Sequence, residues 1–270
     1  MPRRITIASQ KGGVGKTTVV LNLAVALAER GHPTLIVDLD PQGSQSLALG
    51  RGDTELPGLA ELLMKQATPE EAVLKTKLPG LSILPRGRLD AIDAPEFERA
   101  LFSPGILEEA LQATEGAAEY VIVDTPSGVG MATRAALVLS DYVLIPFQTE
   151  SLGLRSLGQA LRVIEHVTQY ENPRLRLLGL LPTMVDKSFR PTLSVLSDVW
   201  NGFPVLDTMI PRAEIYATAS EKGLPVSYHA GRSSPEARRF DLLAGEIEGL
   251  VNRFEGKEAE SATESPRELL

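Results

Sequence analysis

The chain reads as an α/β protein, a doubly wound, mostly parallel sheet flanked by helices. Near-continuous aliphatic runs recur along it, and helix-length amphipathic stretches separate them. In addition, a glycine-rich loop follows the first apolar run directly and opens the first helical pattern. Runs that are apolar at every position suit strands covered on both faces, the environment of a parallel sheet. Strands that alternate with helices are joined by right-handed crossovers.

The first run is Ile5-Thr6-Ile7-Ala8. Leu35-Ile36-Val37, Leu81-Ser82-Ile83-Leu84 and Tyr120-Val121-Ile122-Val123 follow, then Tyr142-Val143-Leu144-Ile145 and Leu177-Leu178-Gly179-Leu180-Leu181. Helical patterns occupy Thr17 to Arg30, Arg155 to Tyr170 and about Pro235 to Phe254. In the last of these, Phe240, Leu243, Ile247, Leu250 and Val251 share a face, which predicts packing on the sheet. No fixed-period repeat is visible. One domain is expected over 1–254. Residues 255–270 are acidic and poor in apolar side chains, the composition of a disordered tail.

At 270 residues the chain is long enough for a sizeable core. It has no cysteine, which removes disulfides and thiolate-held metals, including iron–sulfur clusters. Its three histidines, His32, His166 and His229, lack ligand spacing for zinc. No apolar run reaches 18 residues, and the start carries no signal-peptide pattern, so a cytoplasmic protein is expected. The net charge is −8, with 13 basic against 19 acidic residues over 1–150 and 12 against 11 over 151–253. Any nucleic-acid contact therefore needs a local basic patch, expected in the later half.

Ser9-Gln10-Lys11-Gly12-Gly13-Val14-Gly15-Lys16-Thr17-Thr18 is the segment that carries chemistry. Glycines let a backbone curl until several N–H groups face one phosphate, and the helix that follows adds its positive end. Lys16 is placed to reach β- and γ-phosphates, and the Thr17 hydroxyl to ligate Mg2+. Gln10 stands where the general pattern has its first glycine, and Lys11 is an additional lysine. The second run ends Val37-Asp38-Leu39-Asp40-Pro41-Gln42-Gly43, which places two carboxylates at the sheet edge where open α/β folds bind ligands. The Tyr120 run ends Asp124-Thr125-Pro126-Ser127-Gly128, an apolar strand closing on an aspartate that can hold Mg2+ directly or through water.

Lys11 to Thr18 resembles the deviant Walker A motif of the ParA/MinD ATPases, and the chain looks closest to the ParA/Soj-like partition and positioning members. The resemblance implies ATP and Mg2+ as cofactors and a homodimer formed on ATP binding. Lys11 would cross the dimer interface to the nucleotide held by the second copy. Asp40 would orient or activate the attacking water, and Asp38 would support the Mg2+ surroundings beside Asp124. Thr125 to Gly128 would begin the loop that senses the γ-phosphate. Met184 and the Pro211-Arg212 turn would border the adenine.

ParA-like members bind DNA without sequence preference. Here Arg155, Arg190, Arg212, Arg232, Arg238 and Arg239 are the matching candidates, which implies nucleoid association. An activating ParB-like or adaptor protein is implied as well. The sequence departs from the family at Pro211-Arg212-Ala213-Glu214-Ile215, which lacks a second arginine that many relatives have. Thr125-Pro126-Ser127-Gly128 is nearer the MinD form, yet the acidic Glu255–Leu270 end lacks a basic amphipathic helix, so no membrane binding is expected. Ile5 already begins the first strand, so no preceding DNA-reading domain is expected. Two alternatives remain at this level. One is a MinD-like or orphan positioning ATPase that acts on a protein scaffold without DNA. The other is a metabolic kinase or ligase with the same loop.

Overall fold

Both faces of nearly every strand are apolar, and both are covered by helices. The computed structural model describes residues 1–41, 56–89, 92–148, 151–186 and 203–263, the side chains of 151–156 and 257–263 excepted. The chain begins with β1 (Arg3–Ile7), α1 (Lys16–Glu29) and β2 (Thr34–Asp38). Two short helices, α2 (Leu59–Leu63) and α3 (Pro69–Ala72), lead to β3 (Leu74–Lys75) and β4 (Leu81–Leu84). Then come α4 (Ala94–Leu101), α5 (Ile106–Glu115), β5 (Tyr120–Asp124), α6 (Met131–Leu139) and β6 (Tyr142–Gln148). The described chain closes with α7 (Ser151–Tyr170), β7 (Arg176–Thr183), α8 (Glu214–Glu221), α9 (Val226–His229) and α10 (Pro235–Thr263).

The strands form one sheet in the order β3-β4-β2-β5-β1-β6-β7. All neighbours pair in parallel except β3, which runs antiparallel to β4. The expected doubly wound, mostly parallel sheet is therefore present. Period-2 alternation divides each strand between the two faces. Ile5, Ile7, Ile36, Ile122 and Leu144 pack under α1 and α10, where Phe240, Leu243, Ile247 and Val251 are buried. Leu35, Val37, Val121 and Val123 face α2 and α4 to α6. Val143, Ile145 and Phe147 meet α7.

α1 ends where Gly31 takes φ +94, a left-handed conformation that glycine adopts without a Cβ penalty. The Gly31 N–H donates to Ala28 O and the His32 N–H to Leu27 O, so the last carbonyls of the helix are satisfied.

Each of the six expected strands is found. The two-residue β3 is too short to leave a periodic signal. A further difference lies at the C-terminal end, where α10 runs on to Thr263 instead of stopping at Phe254. Glu255 accepts from Arg3 Nε at 2.7 Å and Nη2 at 2.8 Å, tying the helix to the start of the sheet. Phe254 also lies against Tyr142, with ring centroids 6.1 Å apart. A helix anchored this way extends at one hydrogen bond per added residue, so weak composition did not end it. Residues 264–270 lie outside the described residues.

Candidate active site

β1 lies between β5 and β6, and the chain leaves it towards β2 on one side but crosses from β5 to β6 on the other. That reversal opens a crevice at the carboxyl ends of the strands. Ile7 is the Cα partner of Asp124, and Asp38 is too, so the ends of β1, β2 and β5 stand in register. Each strand end delivers part of the site: the glycine-rich loop, the Asp38–Asp40 pair, and Asp124.

The loop curls through Gly13 at φ +73 and Gly15 at φ +87, conformations in which a side chain would be strained. Gly15 caps α1, whose first turn leaves backbone N–H groups directed at the crevice. Lys16 is buried to 7% exposure, with its ammonium 3.2 Å from Ser9 Oγ and 3.2 Å from Ser127 Oγ. Burial pushes its pKa down, and the Asp124 and Asp40 carboxylates oppose that shift. A β-carbon at Gly12 would lie 3.2 Å from Ser127 Oγ, so glycine leaves the space between these two loops open.

On the acidic side, Thr17 Oγ1 donates to Asp124 Oδ2 at 3.0 Å. Asp38 is fully buried and accepts the Asp40 N–H through Oδ1 at 3.0 Å, which aims the chain out of β2. Asp40 itself stays half-buried. A hydroxyl and a carboxylate converging beside a caged ammonium form the donor set that Mg2+ and a triphosphate require. The residues fit that pair.

Further contacts hold the site together, and two of the residues that make them, Arg86 and Gln148, were passed over by the sequence reading. Gln10 accepts the Val129 N–H at 3.1 Å and Ser9 O accepts the Gly128 N–H at 3.0 Å, linking the glycine-rich loop to the segment after Asp124. Thr125 Oγ1 donates to Ile7 O at 2.8 Å. The buried Arg86, just after β4, donates to the Pro41 carbonyl beside Asp40. Gln148, at the end of β6, accepts from Lys11 Nζ at 2.9 Å and donates to Gly13 O at 3.0 Å. A polar residue closing an apolar strand was the signal for Asp124, and the same signal was available for Gln148.

The adenine-side candidates also come together. Met184 has φ +51, and its Sδ lies 2.9 Å from Gln148 Nε2. Val185 bridges to Pro211, and the Arg212 N–H donates to Val185 O at 3.2 Å. The nucleic-acid candidates are more scattered. Arg232 and Arg238 line a cleft of about 470 Å3 along the later half of α1, with Arg30 and Asp241. Arg232 is ion-paired there with Glu29 at 3.0 Å. Arg239 is half-buried nearby, whereas the Arg155 side chain, Arg190, Gln42 and Gly43 lie outside the described residues. Among the described residues, no helix is long and apolar enough to cross a membrane.

Comparison with known proteins agrees with this geometry. Residues 2–177 match the family described as AAA domain. The chain is 38% identical over 230 residues to the chromosome partitioning protein ParA of Caulobacter vibrioides, covering 83% of this chain and 86% of that protein. The septum site-determining protein MinD of Pyrococcus horikoshii, solved with Mg-ADP, superposes with a TM-score of 0.77 at 29% identity, over 93% of this chain and 98% of that one. A cobyrinic acid a,c-diamide synthase of Mycobacterium smegmatis, solved with an ATP analogue and magnesium, superposes with a TM-score of 0.76 at 36% identity, over 91% and 93%.

Proposed function

From its place in the ParA/MinD family of P-loop ATPases, to which this chain belongs, we propose that it is an ATP-operated dimerisation switch that positions or segregates a cellular cargo. The observation that carries this reading is the convergence of Lys16, Thr17 and Asp124 beneath a glycine-rich loop, with Asp40 alongside. Lys16 binds the β- and γ-phosphates, and the loop N–H groups cradle them. Thr17 and Asp124 would hold Mg2+, with Asp38 in support, and the bound ion would offset phosphate charge. Asp40 takes a hydrogen bond from the attacking water and orients it. Ser127 and Gly128, three and four residues after Asp124, touch Lys16 and Ser9, so phosphate occupancy can move that segment. Lys11 adds a second cation, directed at the nucleotide of the other copy. Met184, Pro211 and Arg212 flank the base.

In this reading the ATP-bound dimer rides on nucleoid DNA in the cytoplasm, and an adaptor protein stimulates slow hydrolysis. Arg232 and Arg238 on one face support the DNA contact. A salt titration on random-sequence duplex DNA, in ADP, in ATP, and with Asp40→Ala in ATP, tests it. Binding confined to ATP and falling steeply with salt supports nucleoid riding. No binding in any state redirects the cargo to a protein scaffold. The 36% identity to the diamide synthase favours one second reading, ATP-dependent activation of a small carboxylate. ATP turnover that requires an added carboxylate acceptor would support it.

A further inference from the structure

The geometry points to Gln148 as the positioning residue for Lys11: one amide both holds that lysine against its own loop and aims a loop N–H group into the phosphate cradle. The inference rests on the reading of the chain as a dimerising ATPase. Gln148 closes β6, is 9% exposed, and uses both ends of its side chain. Oε1 accepts from Lys11 Nζ at 2.9 Å, while Nε2 donates to Gly13 O at 3.0 Å and lies 2.9 Å from Met184 Sδ. Reversing the amide would set an NH2 group against an ammonium, so Lys11 fixes its orientation.

The C=O and N–H of a trans peptide point in opposite directions. Drawing the Gly13 carbonyl outward onto Gln148 therefore turns the Val14 N–H inward. Thr183 does the same one residue later, with Oγ1 donating to Val14 O at 2.9 Å and to Phe147 O at 3.1 Å. Gln148 and Thr183 thus tie the outer side of the loop to the ends of β6 and β7. Because a single planar amide makes both bonds, a shift of Lys11 is passed on to Gly13. Phosphate entry, which tightens the loop, is felt at Lys11, and the release of Lys11 towards a second copy loosens Gly13.

Two substitutions separate positioning from packing. Gln148→Glu keeps the acceptor and turns the bond to Lys11 into an ion pair, whereas Gln148→Leu removes it. The first readout is trace acylation of Lys11 in nucleotide-free protein, normalised to the exposed Lys75 and Lys222. Labelling is expected to fall in the Glu variant and rise in the Leu variant, each by roughly tenfold. The second is the ATP concentration at half-dimerisation: both variants lose the Nε2 bond to Gly13, so the Glu variant, which alone still holds Lys11, is expected to need several-fold more ATP than the Leu variant. Equal Lys11 labelling in all three proteins, or the same midpoint in the two variants, overturns the inference, since a purely structural glutamine weakens both variants alike. If labelling responds while the parent chain stays monomeric in ATP, the hold on Lys11 stands and the dimer reading fails.

Discussion

Thr17 Oγ1 donates to Asp124 Oδ2 at 3.0 Å, joining the first turn of α1 to the end of β5 across 107 residues of chain. This contact is where the proposed reading places Mg2+. Asp124→Asn keeps the size and loses the charge, so the Mg2+ concentration needed for half-maximal nucleotide binding should rise about 10- to 100-fold. Titration of Mg2+ against a fluorescent nucleotide measures it.

Lys16 sits buried between two serine hydroxyls, a cage that a phosphate replaces with stronger acceptors. Two charge-assisted hydrogen bonds at roughly 1.5–3 kcal/mol each predict that Lys16→Ala lowers ATP affinity by about 100-fold or more. Calorimetric titration with ATP reads the change directly.

Arg86, bound to the carbonyl next to Asp40, is a residue that motif reading did not reach. Arg86→Met removes its bond to the Pro41 carbonyl and frees the chain after Asp40. Turnover should fall by up to ~100-fold, the scale of a misplacement of about 1 Å, with KM for ATP changed far less. Steady-state kinetics separates the two parameters.

The Arg3–Glu255 pair gives a pH-dependent prediction. Its hydrogen bond to Arg3 holds the Glu255 carboxyl below its ordinary value of 4.5, against the opposing effect of partial burial. A carboxyl lowered in the folded state contributes stability above that ordinary value and loses it as pH falls through the lowered one. The side chains are 30% and 41% exposed, so the contribution is about 0.5 kcal/mol. Glu255→Gln should lower unfolding stability by that amount at pH 7 and leave it unchanged near pH 3, as read from denaturant midpoints at the two pH values.

The strands were legible because a buried parallel sheet leaves unbroken apolar runs, and the glycine-rich loop because backbone curvature needs glycine at fixed places. Asp38 and Asp124 were legible as carboxylates closing such runs. Arg86 was not, since an arginine in a loop takes its meaning from what folds beside it, and Gln148 carried the strand-end signal of Asp124 without the charge that marks a ligand. The continuation of α10 past Phe254 depended on Arg3, 252 residues away from Glu255, and no local composition encodes such a partner.

The central claim is that ATP drives two copies together and that Asp40 is needed to let them part. Light scattering of the parent chain and Asp40→Ala, each with Mg2+ and either ATP or ADP, tests it most directly. The account predicts a monomer mass in ADP for both proteins and a dimer mass in ATP. That dimer should persist in the variant, whose hydrolysis drops by about 10²- to 10⁴-fold, and decay in the parent chain. One unchanged mass across every nucleotide state would contradict it.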